Sequence, residues 1–233
     1  KWVINGSKQF ISSGESGDWC LIFAVTDPDA GKKGISAFLT PTDAAGYEVV
    51  AKEDKMGQRA SDLCQLTFNN LEVPPDMMLG EEGQGYRIAL ENLTTGRIGI
   101  AAQSTGIARA ALECARDYAK EREAFGQVIM EYQAVSHRLA DMATQVEASH
   151  HLLLHAASLY DADGGGLVEA SMAKLFASEM AEKVCSDAVQ TLGGYGYVGG
   201  FPAERYYRDV RVCKIYEGTS DVQRMLIARS LAA

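Results

Sequence analysis

The sequence predicts an α+β chain: a partial antiparallel β-domain over residues 1–80, then a C-terminal four-helix bundle over residues 81–233. Three observations predict it. Residues 1–78 carry short β-branched and aromatic runs cut by Gly, Pro and Asp, the pattern of closely spaced strands. From Tyr86 onward apolar residues recur every three to four positions, which is the helical period. Between the two regions, Val73-Pro74-Pro75 ends the sheet, because proline cannot donate to a strand ladder, and Gly80 to Gly85 reads as a linker.

Taken in order, Trp2-Val3-Ile4, Asn5-Gly6 and Lys8 to Ser12 read as a hairpin, since Asn-Gly tolerates the positive φ of a type I′ turn. Trp19 to Val25 is an apolar run bounded by Asp18 and Asp27-Pro28. Strands follow at Ile35 to Leu39, Tyr47 to Val50 and Gln65 to Val73. The first long helix runs from Tyr86 to Lys120. Gly96, Gly99 and Gly106 lie inside it, each costing roughly 1 kcal/mol relative to Ala, so close packing against a helix or a ligand is expected there. The second runs from Ala134 to Tyr160 with Val135, Leu139, Met142, Val146, Leu153 and Tyr160 on one stripe. Its other face shows Ala148, Leu152 and Ala156-Ala157, an apolar surface that suits an interface. The third runs from Val168 to Leu192 with Met172, Phe176, Met180, Val184, Ala188 and Leu192 recurring every four residues. A short last helix carries Met225, Leu226 and Ile227.

Hydrophobic residues make up 47% and charged residues 23%, enough for a core and a soluble surface. A net charge of −9 argues against nucleic acid or an anionic membrane as a partner. No apolar run approaches the roughly 20 residues of a membrane span, and no signal-peptide pattern is present. The five cysteines are odd in number, scattered and without a CxxC pair. That reads as reduced thiols rather than a disulfide frame or zinc site, in a cytoplasmic setting or a mitochondrial matrix. His151 and His155 stand one helical turn apart but lack a third ligand, so no metal is expected. Gly194-Tyr195-Gly196-Tyr197-Val198-Gly199 fits G-x-G-x-x-G, but a helix precedes it and Phe201-Pro202 follows; it reads as a tight loop, not a dinucleotide fingerprint.

The chemistry concentrates near the end, in Ile215-Tyr216-Glu217-Gly218-Thr219-Ser220-Asp221-Val222-Gln223-Arg224. One carboxylate sits between an aromatic and a glycine, ahead of a helix that Thr219 or Ser220 can cap. Gly218 permits a bend that leaves Glu217 just outside the helix, where a ligand could approach. The same pattern also suits an ordinary capped turn with a solvated Glu.

Tyr216-Glu217-Gly218-Thr219-Ser220-x-x-Gln223-Arg224 resembles the signature of acyl-CoA dehydrogenases. Gln190-Thr191-Leu192-Gly193-Gly194-Tyr195-Gly196-Tyr197, followed by Arg205 and Asp209, is similar to a second one. The likeness runs from Trp2 to Arg229; Gly200 departs from it, where the family usually has Asp, Glu or Asn. Against that family, an N-terminal helical domain and the start of the β-domain would precede Lys1, so a fragment is expected.

The resemblance implies α,β-dehydrogenation of an acyl-CoA to a trans-2-enoyl-CoA, with Glu217 as base and FAD as hydride acceptor. On the cofactor side it implies Phe10 and Ser12, which alternate along one strand, and Arg122, Phe125, Gln133, Gln190, Gly193, Gly194, Thr219 and Asp221. Arg122 and Phe125 would serve a neighbouring subunit's FAD. Ala124 replaces a usual Thr or Gln there. On the substrate side it implies Arg97, Tyr216, Gly218 and Arg229; Thr94 stands where several relatives have Asp. Relatives that carry their base on the first long helix do so near Gly96, where a glycine cannot. The implied assembly is a homotetramer, a dimer of dimers, with an electron-transfer flavoprotein as acceptor. The competing readings are an acyl-CoA oxidase, a nitroalkane oxidase-like enzyme and a catalytically inactive helical scaffold.

Overall fold

The structure, a computed structural model, describes residues 1–232. It divides into two compact units, residues 1–92 and 93–233, and the division falls inside a long helix.

The first unit holds two three-stranded antiparallel sheets. Strands β1 (Trp2–Ser12), β5 (Leu63–Val73) and β4 (Tyr47–Lys52) form one, in the order β1-β5-β4. Strands β2 (Trp19–Val25), β3 (Ile35–Pro41) and β6 (Met78–Leu79) form the other. Alternation along β5 buries Cys64, Leu66 and Phe68, and with Ile4, Ile22, Phe38, Leu71 and Val73 these make the core of the unit. The expected hairpin at Asn5-Gly6 is instead one continuous strand. The Asn-Gly pair forms a bulge, with the register slipping between Ile4 and Gly6, and the Asn70 N–H donates to Asn5 Oδ1 at 2.8 Å. An isolated Asn-Gly fits a bulge as well as a turn; long-range pairing with β5 decides between them. Proline ends β5 as expected, yet Met78 and Leu79 re-enter a sheet beside Phe38 and Ala37.

The second unit is a helical bundle of α1 (Gly85–Glu121) from Leu93 onward, α2 (Gln133–Asp163), α3 (Leu167–Leu192) and α6 (Ser220–Leu231), with short helices α4 (Gly194–Tyr197) and α5 (Ala203–Val210) before the last. Its core is a seam of small residues. Ala108, Ala111, Ala115 and Ala119 of α1 meet Leu139, Met142 and Val146 of α2 and Met180, Ala181, Val184, Cys185, Ala188 and Leu192 of α3. The stripe expected on α3 holds in its second half only. In the first half Ala173 and Ala177 are buried, and Phe176 is 39% exposed. Alanine lets helices approach closely, and that close approach outweighs side-chain size in choosing the buried face. The second apolar face expected on α2 is partly consumed inside the chain: Ala156 is buried, with Leu152 against the same cluster as Ala101, Ala173 and Ala177. Gly194–Tyr197, expected as loop, is one helical turn. Among the described residues no helix is long and apolar enough to cross a membrane.

Candidate functional site

Between a 3₁₀ turn at Arg211–Lys214 and α6, the chain makes two consecutive left-handed steps, Glu217 at φ 52° and Gly218 at φ 87°. A side-chain-bearing residue there is strained by about 1–3 kcal/mol unless its surroundings hold it. Three donor groups hold it. The Val222 N–H donates to Thr219 Oγ1 at 3.3 Å, which caps α6. Gln223 Nε2 donates to the Glu217 and Gly218 carbonyls at 3.2 and 3.0 Å. Lys174 Nζ, from α3, donates to the Gly218 carbonyl at 2.7 Å. Both Gln223 and Lys174 are wholly buried. A Cβ on Gly218 would lie 2.7 Å from Gln223 Nε2, so the position requires glycine for space as well as for φ.

The Glu217 carboxylate lies against Gly96 of α1: a Cβ there would meet Oε2 at 2.3 Å. Of the three glycines expected to pack closely, Gly96 alone does so; Gly99 and Gly106 face open space among the described residues. Arg97 is 4% exposed. Burial lowers the pull of its guanidinium on its proton, and the Glu217 charge opposes that shift. Lys174 is pushed down to about 8 by burial, with Arg97 adding to the effect and Cys213, Glu217 and Glu179 opposing it. Two buried cations therefore lie within electrostatic reach of one carboxylate. Burial also raises the Tyr216 phenol, helped by Cys213, and its hydroxyl donates to Gln103 Oε1 at 2.6 Å. Tyr216 is thus a neutral, oriented ring beside the carboxylate. A carboxylate fixed this way can accept a proton from a molecule bound before it.

A second group forms where α1 ends. Strands β7 (Glu123–Ala124) and β8 (Gln127–Val128) make a hairpin with Phe125 at its tip, φ 51° and 98% exposed. Tyr132 Oη donates to the Ala124 carbonyl at 2.8 Å and so holds the tip. Arg122 lines a cleft of about 510 Å³ with Tyr118, Ile129, Gly193, Gly194 and Val198. Gln190, on the last turn of α3, and Gln133, which opens α2, are exposed. Thr219 and Asp221 are exposed, and Asp221 pairs with Arg224 at 3.3 Å; Arg229 is exposed on the last turn of α6. In the first unit Phe10 and Ser12 are exposed while Ile11 packs inward, although the strand bulges between Lys8 and Ile11 and Phe10 has φ 60°.

Tyr216, Glu217 and Gly218 are thus joined by Arg97, and Arg122 by Gly193 and Gly194. Sequence reasoning gave no role to Lys174, Gln223 or Gln103. A signal for Lys174 exists: it is a lysine on the α3 stripe of Ala170, Ala173, Ala177 and Ala181, all buried.

Comparison with known proteins gives the family. Residues 83–232 match the family model described as "Acyl-CoA dehydrogenase, C-terminal domain", and residues 1–71 match "Acyl-CoA dehydrogenase, middle domain". An acyl-CoA dehydrogenase of Bacillus subtilis is 51% identical over 99% of this chain and 61% of its own length. The short-chain specific acyl-CoA dehydrogenase of Bos taurus mitochondria is 47% identical over 99% of this chain and 56% of its own. The structure of butyryl-CoA dehydrogenase from Megasphaera elsdenii superposes with a TM-score of 0.97 at 43% identity, covering 99% of this chain and 60% of that one. The chain therefore spans between half and two thirds of the relatives it matches.

Proposed function

The chain belongs to the acyl-CoA dehydrogenase family, and we propose that the whole protein dehydrogenates a short-chain acyl-CoA at its α,β-bond with Glu217 as base. The observation that carries this reading is the turn itself: a strained, cross-braced backbone sets the Glu217 carboxylate over a residue with no side chain. The short-chain assignment rests on the names of the butyryl-CoA and short-chain specific relatives.

A proton beside a thioester is weakly acidic, so its removal needs a placed base and donors to the thioester oxygen. Glu217 takes the α-proton: the C–H bond breaks, an O–H bond forms, and the electron pair forms the double bond as hydride leaves the β-carbon. Among the described residues the Glu217 backbone N–H has no hydrogen-bond acceptor, which leaves it available to the thioester oxygen. FAD, when bound, supplies the two-electron acceptor for the hydride. The residues present fit it: an exposed guanidinium, Arg122, shares a cleft with the side-chain-free backbone of Gly193 and Gly194, a setting for a pyrophosphate, and Phe125 offers a bare ring. Phe10, Ser12, Gln133, Gln190, Thr219 and Asp221 take the remaining cofactor side, and Arg97, Tyr216, Gly218 and Arg229 the substrate side. The assembly is a homotetramer whose FAD sites are shared between subunits, and an electron-transfer flavoprotein takes the electrons onward.

The test is made on the full-length protein. It should be yellow as purified, and with butyryl-CoA and an electron-transfer flavoprotein it should form but-2-enoyl-CoA in step with acceptor reduction. Stoichiometric hydrogen peroxide would replace dehydrogenase by oxidase, and a colourless protein without turnover would leave the scaffold reading.

A further inference from the structure

We infer that Lys174 is a positioning residue for proton abstraction, its buried amine fixing the Gly218 carbonyl and thereby the place of the Glu217 carboxylate. The inference rests on Glu217 being the base. Burying an ammonium is costly unless something specific is gained. Lys174 is 0% exposed on a stripe otherwise made of small alanines and serines, Ala170, Ser171, Ala173, Ala177, Ser178 and Ala181. Among the described residues it forms no ion pair with a carboxylate. Its hydrogen bond is to a backbone carbonyl one residue beyond Glu217, 44 positions away in sequence. A lysine retained for stability alone would be expected to find a carboxylate or to reach water.

What the bond holds is the left-handed pair at 217 and 218. Among the described residues, Lys174 and Gln223 are the two donors to the carbonyls of that pair, and they share Gly218. If the Lys174 donor is removed, Gln223 still holds both carbonyls, so the turn loosens rather than unfolds. Glu217 can then relax toward an ordinary φ, which swings its carboxylate off Gly96. The groups that act electrostatically on Lys174 come from several elements: Arg97 on α1, Glu179 on its own helix, Glu217 of the turn and the Cys213 thiol before it.

The experiment uses full-length, FAD-loaded protein carrying Lys174→Met. Turnover of butyryl-CoA is measured per bound flavin. Deuterium uptake at the α-carbon of 3-thiabutyryl-CoA, whose β-atom is sulfur and carries no hydrogen, is measured in D₂O. A misplaced base should lower both by at least about tenfold, with KM within about threefold of wild type because ground-state binding is untouched. Values of both within about twofold of wild type overturn the inference. If the Met variant does not load flavin, Lys174→Gln, whose donor stops one atom short, is read against the same two outcomes. If neither loads, the lysine serves folding and the positioning role is rejected. Glu217→Gln run in parallel separates the two ideas. If it keeps turnover, the base assignment fails; if it is inactive while Lys174→Met is normal, only the positioning role fails.

Discussion

At Gly96 the missing side chain gives Glu217 its place. A Cβ built there falls 2.3 Å from Oε2 and 3.0 Å from the carboxyl carbon, the far end of a side chain that can swing aside. Gly96→Ala should therefore be cheap for the fold, since Ala gains roughly 1 kcal/mol of helix propensity. It should be expensive for the chemistry, lowering kcat/KM by at least about tenfold. Thermal unfolding and steady-state kinetics on the same preparation separate the two effects; a wild-type kcat/KM would mean the carboxylate is not held there. Among the described residues six non-glycine residues have positive φ, and Phe10, Phe125 and Glu217 are among them, so three of the residues named for a ligand sit on strained backbone. Glu217 was legible because its motif is local. Lys174 and Gln103 were not, because each meets its partner across a long sequence separation, 44 and 113 positions. In sequence a lone lysine in a helix reads as a solvated charge.

The three long helices were legible to within three residues at each end, because an apolar repeat is a local signal, whereas the short α4 and α5 were not. What failed were features that depend on pairing: the Asn5-Gly6 bulge, the short strand β6 and the choice of Ala173 and Ala177 over Phe176 as buried surface. Alanine seams carry little hydrophobic weight per residue, so periodicity underrates them. Helix α3 also ties down both flanks of the Glu217–Gly218 turn. Lys214 lies 3.1 and 2.8 Å from Glu179 and Glu182, and Arg224 lies 3.2 Å from Glu179. In α1, Gly106 is exposed and faces open space among the described residues. Gly106→Ala should raise the unfolding free energy of the full-length protein by about 0.5–1 kcal/mol, read in urea. A fall would show that something outside this chain packs on that face.

The proposed activity is read from relatives longer than this chain, which covers 61% and 56% of the length of those from B. subtilis and B. taurus. Phe125, almost fully exposed at a hairpin tip beside Arg122, has the form of a contact made for another subunit. A shared cofactor couples assembly to retention. Losing one Arg–phosphate contact of about 1.5–3 kcal/mol should weaken FAD binding in Arg122→Ala on the order of 10- to 100-fold. Ultracentrifugation read at protein and flavin wavelengths should show flavin leaving as the wild-type assembly dissociates; a monomer with its full flavin complement contradicts the sharing. The central claim is that Glu217 removes the α-proton, and one measurement addresses it most directly: single-turnover flavin reduction by butyryl-CoA in full-length Glu217→Gln. The account predicts normal flavin content and acyl-CoA binding with reduction slowed by at least about 10²–10⁴-fold. Reduction at the wild-type rate would contradict it.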